Sequence, residues 1–196
     1  MNKLLKCKLI FEKQKVYLIT LGILFLSGLL VGIILSSSEE KILYSENIYN
    51  FLLISLSKNG SVFKLFLFRI LNLVGFFLFF AITGISLYTL FPFHSILIVY
   101  RGYVLGVSAV VFIANYAITG AVIYIFSIFL QNVITTASLI CYSAFCYNRI
   151  KSLNGCEFNF KRHFEDGLIC SCLALLGVVL ELLLISFILR PLNIYF

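Results

Sequence analysis

The sequence predicts an all-α protein: a polytopic membrane helix bundle with about five transmembrane helices and an extracytoplasmic amphipathic helical segment after the first. Of its 196 residues, 62% are hydrophobic and 12% are charged, whereas soluble domains are about 45–50% apolar and about 25% charged. The mean hydropathy of +1.08 agrees with this. One soluble core of this size cannot bury so much apolar surface. We therefore expect residues 1–196 to form a single integral membrane domain.

The first predicted crossing covers residues 16–35. Its length of about 20 residues spans a hydrocarbon core of about 30 Å at about 1.5 Å per residue. The crossing follows a basic N-terminal segment, residues 1–15. It exceeds the about 7–15 apolar residues of a signal peptide and has no obvious cleavage site, which favours a retained anchor.

Four further apolar runs predict the remaining crossings. They cover residues 70–91, 95–115, 118–147 and 167–189. Pro92 is expected to end the second run and Pro191 to follow the fifth. The fourth run is longer than one crossing needs, which indicates tilt or an end that projects into the cytoplasm.

The distribution of basic residues predicts the orientation. Lysines crowd residues 1–15, and the connection at residues 148–166 carries Arg149, Lys151, Lys161 and Arg162. The positive-inside rule places both segments in the cytoplasm and the C-terminus outside. Residues 36–69 then form an outer segment. Its Ser37 and Glu40 have capping-box spacing, and the segment is expected to contain either membrane-surface amphipathic helices or a plain packing helix.

Four polar side chains fall inside predicted crossings and are therefore candidate functional residues, because burying them in lipid is costly. They are Arg101, Gln131, Asn132 and Glu181. At about 1.5 Å per residue, Arg101 lies about 9 Å and Glu181 about 20 Å from the cytoplasmic edge. An Arg101–Glu181 pair flanked by Gln131 is one hypothesis, and a proton or ion path is the other. Two Gly-x-x-x-Gly spacings, Gly28/Gly32 and Gly102/Gly106, favour close helix packing.

The sequence contains no pattern typical of catalysis. It has no metalloprotease, phosphate-binding or serine-hydrolase motif, so we expect no enzyme activity, no catalytic residue, no metal and no cofactor. His94 and His163 fall in separate short connections, with His94 expected at the membrane interface. The net charge of +7 lies beside the apolar runs, which favours contact with anionic lipid over nucleic acid. The six cysteines are expected to be small packing residues.

Three short motifs in the middle of the chain resemble the stage II sporulation protein M family of bacterial multi-pass membrane proteins. An apolar run ends at Thr83-Gly84-Ile85-Ser86. A basic-Gly-x-x-x-Gly element lies within Tyr100-Arg101-Gly102-Tyr103-Val104-Leu105-Gly106. Phe129-Leu130-Gln131-Asn132 is similar to the family's Leu-Pro-Gln-Asn motif, although Leu130 replaces its proline. The likeness covers roughly residues 10 to 150.

The resemblance implies a scaffold in the bacterial cell membrane that recruits envelope-remodelling partners, wall hydrolases in the family picture, during engulfment in sporulation. On this interpretation the outer segment binds those partners, and Phe51, Leu52 and Leu56 are its expected docking residues. The alternative is a small transporter or permease subunit in which Arg101, Gln131, Asn132 and Glu181 line a midplane site.

Overall fold

In the computed structural model, residues 14–36, 62–152 and 160–189 are described, and they are almost wholly helical. Five helices are long and apolar enough to cross a membrane. We number them α1 to α5. They cover Lys15–Ser36 (α1), Val62–Thr83 (α2), Leu87–Ala114 (α3), Gly120–Lys151 (α4) and Phe160–Leu184 (α5), the last continued by a π-helical turn, Ile185–Leu189. The prediction of an all-α bundle with five membrane-spanning helices is confirmed.

Successive helices run in opposite directions. Gly28 and Gly32 of α1 face Val99 and Tyr103 of α3, in the same order, so these two helices are parallel. The Tyr124 hydroxyl of α4 donates a hydrogen bond to the carbonyl oxygen of Leu105 of α3, 3.0 Å away, although 19 residues separate them. A straight helix would hold such residues about 28 Å apart. The chain therefore folds back between α3 and α4.

The start of α1, the α2–α3 turn, the end of α4 and the start of α5 lie at one end of the bundle. We call this end the basic side, because it carries five of the basic residues in the described helices: Lys15, Arg149, Lys151, Lys161 and Arg162. The other end, with the start of α2 and the end of α5, is the opposite side.

The α2–α3 turn corrects the predicted second and third crossings. Helix α2 runs from Val62 to Thr83 rather than over residues 70–91, and α3 begins at Leu87 rather than near residue 95. Hydropathy could not show this break, because residues 87–91 are as apolar as the helices around them. The local signals were Gly84, whose added Cβ would lie 2.7 Å from the carbonyl oxygen of Phe80, and Ser86, which caps α3 by accepting from the amide of Tyr88.

Pro92 does not end a helix but lies within the first turns of α3. Its missing amide hydrogen leaves the carbonyl of Tyr88 without its helical partner. Tyr88 is 92% exposed, so its surroundings are open at the end of the bundle. Losing this backbone hydrogen bond therefore costs less free energy here than it would in the centre of the helix.

Helix α5 begins at Phe160, not residue 167, and α4 continues to Lys151, so the predicted connection at residues 148–166 is shorter than expected. Charged residues mark the end of an apolar run in the sequence, but they do not mark the end of the helix, which can continue beyond the hydrocarbon core. Here Arg149 of α4 forms an ion pair with Asp166 of α5 and holds the two extended ends together. Likewise, α2 starts at Val62, so Lys64 and Arg69 of the predicted outer segment belong to a crossing.

The helices pack around α4, which buries a larger share of its length than any of the other four. Large apolar side chains on every helix point outward, where lipid would surround them: Ile23, Leu71, Ile96, Ile125 and Leu176 are between 49% and 66% exposed. Two buried clusters stack along the bundle. One, around Leu21, Phe80 and Leu139, lies toward the basic side, and the other, around Leu105, Phe112 and Ile185, lies toward the opposite side.

Candidate functional site

A buried ion pair joins α2 to α5 in the half of the bundle toward the opposite side. The Nη2 atom of Arg69 lies 2.7 Å from Oε1 of Glu181. The Glu181 side chain is 1% exposed and that of Arg69 is 13% exposed. The second carboxylate oxygen, Oε2, has no hydrogen-bond partner among the described residues. Glu181 is thus held by a residue that sequence reasoning had placed outside the membrane.

Arg101 does not bind Glu181, so the hypothesis of an Arg101–Glu181 pair is wrong. Its guanidinium lies over the ring of Phe76, with Cζ 4.3 Å from the ring centroid. Its Nη1 atom is buried without a partner in the described part of the chain, and Arg69 repels it electrostatically. Because α3 starts at Leu87 and α5 at Phe160, Arg101 lies about 21 Å and Glu181 about 31 Å along its helix from the basic end. Arg101 thus remains separated from Glu181 in depth, and Arg69 takes the carboxylate.

Gln131 and Asn132 of α4 are hydrogen-bonded along their own helix. Gln131 Nε2 donates to Thr135 Oγ1 at 3.2 Å, and Asn132 Nδ2 donates to the carbonyl oxygen of Ile128 at 2.9 Å. A π-helical segment, Tyr124–Phe129, immediately precedes them. Such a segment shifts the backbone hydrogen-bond register. The helix is thus irregular beside the amide side chains even though Leu130 stands where the sporulation family has proline.

All four glycines of the two Gly-x-x-x-Gly spacings lie at one crossing, between α1 and α3. A Cβ at Gly28 would lie 2.2 Å from the carbonyl oxygen of Val99, and one at Gly102 would lie 2.2 Å from that of Phe25. Gly32 and Gly106 meet Tyr103 and Leu29 in the same way at 2.3 Å. The relation is reciprocal, since each glycine faces the residue three positions before its counterpart. The backbones of α1 and α3 therefore touch.

A second polar cluster, toward the basic side, contains both histidines. His94 lies within α3 and is 0% exposed, and His163 lies within α5 and is 6% exposed. Both predictions for the histidines, positions in short connections and an interfacial His94, are therefore wrong. His94 bonds through Nδ1 to Ser143 Oγ at 2.7 Å and through Nε2 to Thr83 Oγ1 at 3.0 Å. The early start of α3 and of α5 carries each histidine into the bundle.

The proton positions in this cluster follow from its geometry. The hydroxyl of Thr83 donates to the carbonyl oxygen of Phe79 at 2.7 Å, so it has only acceptor capacity left for His94 Nε2. In a neutral imidazole, Nδ1 then accepts from Ser143, and Ser143 in turn accepts from the Tyr17 hydroxyl 2.6 Å away. One directed chain of hydrogen bonds thereby joins α1, α4, α3 and α2.

His163 connects α5 to the same end of the bundle. Its Nε2 lies 2.9 Å from the carbonyl oxygen of Ala81, which can only accept, so Nε2 carries the proton. The Tyr142 hydroxyl lies 3.1 Å from Nε2, and Cys146 Sγ lies 3.8 Å from Nδ1. With His94 and His163 together, side chains from all five helices take part in the polar cluster.

Helix α4 carries a stripe of buried polar residues that reaches the polar cluster of the histidines at Tyr142. Gln131, Thr135, Ser138 and Tyr142 recur at spacings of four, three and four residues, so they share one helix face, and all four are buried. Of this stripe, only Gln131 is among the site residues predicted from the sequence. The recurrence of polar residues at helical spacing along residues 131–142 is the signal that could have predicted the other three.

Within the described ranges, no group of three His, Cys, Asp or Glu side chains is placed to hold a metal ion. Cys141, Cys146, Cys170 and Cys172 form no disulfide with one another. The expected docking residues Phe51, Leu52 and Leu56 lie outside the described residues.

Comparison of the chain with protein-family models, with curated proteins and with solved structures found no match. The resemblance to the stage II sporulation protein M family therefore rests on the three short motifs alone.

Proposed function

We propose that this chain is a non-enzymatic multi-pass scaffold of the bacterial cell membrane, which recruits envelope-remodelling proteins on its extracytoplasmic side. The outer segment between α1 and α2 would bind the partner, with Phe51, Leu52 and Leu56 as contacts. Tethering a wall hydrolase to one membrane patch raises its effective concentration there. Membrane lipid is the other expected partner.

The observation that carries this proposal is the role of the motif residues in packing. Gly102 and Gly106 bring the backbone of α3 against that of α1, and Asn132 bonds to its own helix. The glycine motif of α3 thus holds two helices together, whereas the amide side chains of the motif on α4 are bonded within their own helix. A bundle fixed in this way can support the segment that connects α1 to α2, because both helices that bear it are anchored.

The test is co-purification of the tagged full chain from crosslinked native membranes, with partners identified by mass spectrometry. A triple variant, Phe51→Ala, Leu52→Ala and Leu56→Ala, is expected to lose its extracytoplasmic partners and to remain in the membrane. The matched control replaces three lipid-facing residues of α1, Ile19, Ile23 and Leu26, by alanine; these are 51%, 59% and 57% exposed. Unchanged recruitment by the first variant would refute the docking role of the outer segment.

A small transporter or permease subunit is the second candidate, and the polar stripe of α4 favours it. This stripe leads along α4 from Gln131 to Tyr142, which bonds to His163, and a proton or ion path needs such a series of polar groups. Proton flux through reconstituted vesicles that disappears with Glu181→Gln would support this candidate. Enrichment of an ATPase subunit instead of envelope proteins in the co-purification would also favour it.

A further inference from the structure

A groove of about 200 Å³ opens between α2 and α5, in the half of the bundle nearer the basic side. Helix α2 lines it from Ile70 to Ala81, and α5 lines it from Phe164 to Leu175. The two polar side chains in its wall are already bonded: the Tyr142 hydroxyl to His163, and Ser171 Oγ to the carbonyl oxygen of Leu168. The wall therefore offers an occupant apolar contact only.

The length of the groove matches one acyl chain. Eleven residue steps separate Ile70 from Ala81 and also Phe164 from Leu175, which corresponds to about 16 Å along each helix. Half of a hydrocarbon core of about 30 Å is about 15 Å. The groove thus extends over the depth of one leaflet, from the basic side toward the bilayer centre.

A basic residue lies at the end of the groove that faces the membrane surface. Lys161 shares one face of α5 with Phe164, Leu168, Ser171 and Leu175, because these residues are spaced by three and four. It is exposed and lies about 4.5 Å along the helix axis beyond Phe164. Its flexible stem allows the ammonium group to reach the headgroup layer.

Among the described residues, no acidic side chain forms an ion pair with this lysine. Glu165 is exposed and, at about 100° per residue, lies on the side of Lys161 away from the groove-lining face of α5. Glu181 and Asp166 pair with Arg69 and Arg149. The side of Lys161 that faces the groove is therefore open to an anionic group.

We propose that the groove between α2 and α5 binds an anionic phospholipid of the leaflet on the basic side, with one acyl chain between the helices and its phosphate on Lys161. This inference does not depend on whether the chain is a scaffold or a transporter. Anionic lipids concentrate near basic residues at the membrane surface, and the apolar wall holds the acyl chain.

The test is native mass spectrometry of the delipidated full chain in detergent, titrated with dioleoyl phosphatidylglycerol or dioleoyl phosphatidylcholine. We expect the anionic lipid to bind more tightly. Lys161→Gln should weaken it about fivefold, the effect of one basic residue near an anionic headgroup. The control Lys151→Gln removes an equal charge on the same side, from α4, where Lys151 lies over Tyr147, and should leave the affinity unchanged.

A second variant tests the acyl-chain site. Ser171→Phe places a ring in the groove and should abolish binding of the anionic lipid, whereas Cys172→Phe places the same ring on an exposed position outside the groove wall and should not. Equal affinity for both lipids, or unchanged affinity of Lys161→Gln, would overturn the proposal. A dimer of the chain that Ser171→Phe dissociates would also overturn it, since the groove would then hold a second copy.

Discussion

At the residue scale, the charges away from the ends of the described helices do not balance. Two guanidinium groups, those of Arg69 and Arg101, lie there with one carboxylate, that of Glu181, and only Arg69 is bonded to the carboxylate. A buried charge without its counter-charge is costly, while the pair itself contributes little net stability. The three residues should therefore differ sharply in what their removal costs.

We predict that Glu181→Leu destabilises the bundle most, by about 3–5 kcal/mol, because it leaves the buried guanidinium group of Arg69 without its counter-charge. Arg69→Leu should cost less, because a buried carboxylate can become neutral by taking up a proton, whereas a guanidinium group stays charged. Arg101→Leu should change stability by no more than about 1 kcal/mol, since a lost cation–π contact opposes relief of the Arg69 repulsion. The midpoint of thermal unfolding in detergent reports all three.

The double variant Arg69→Leu/Glu181→Leu is the matched control for this order. It removes both charges of the pair and is expected to be more stable than Glu181→Leu alone. If Arg101→Leu were instead the most destabilising of the single variants, the assignment of Arg69 as the partner of Glu181 would be wrong.

At the element scale, glycine lets α1 and α3 cross with their backbones in contact. Carbonyl oxygens of the facing helix lie 2.2–2.3 Å from where a Cβ would be added at Gly28, Gly32, Gly102 and Gly106. A backbone oxygen cannot move aside as a flexible side chain can, so any added methyl group must separate the helices. Small residues at such interfaces are what permits close packing in lipid, where no hydrophobic force draws helices together.

We predict that Gly102→Ala lowers the thermal midpoint of the bundle and that Gly28→Ala does the same, because each methyl group would overlap a carbonyl of the opposite helix. Gly22 of α1 and Gly75 of α2 have nothing within 4 Å of an added Cβ. Alanine at either should therefore raise stability by about 0.5–1 kcal/mol through helix propensity alone. A Gly102→Ala protein as stable as Gly75→Ala would contradict the close crossing.

At the scale of the whole molecule, hydropathy predicted the number of helices and the class of fold but not the breaks between them. Gly84 and Ser86 end one helix and start the next inside a continuous apolar stretch, which an average over that stretch cannot detect. The missed break gave Arg101 and His94 the wrong depth, and the late predicted start of α5 did the same for His163. Depth alone cannot identify the partner of a side chain either. Pairing also depends on the rotation of each helix about its axis, and the sequence of a single apolar helix does not specify that rotation. Arg101 and Glu181 were identifiable from the sequence because a charge inside a crossing is costly in lipid, whereas Arg69 fell in the predicted outer segment.

The orientation of the bundle gives the last prediction. Within the described helices, the basic side carries Lys15, Arg149, Lys151, Lys161 and Arg162, whereas the opposite side has Lys64 and an Arg69 that is buried against Glu181. By the positive-inside rule the basic side should be cytoplasmic.

Single cysteines at Lys151 and Lys64, introduced into a variant without the six native cysteines, can be labelled with a membrane-impermeant maleimide. Lys64→Cys should react in intact cells, and Lys151→Cys only after permeabilisation. Leu26→Cys, in the middle of α1, should react in neither case because no water reaches it. The reverse pattern would place the α1–α2 segment in the cytoplasm, and recruitment of extracytoplasmic partners by that segment would then be impossible.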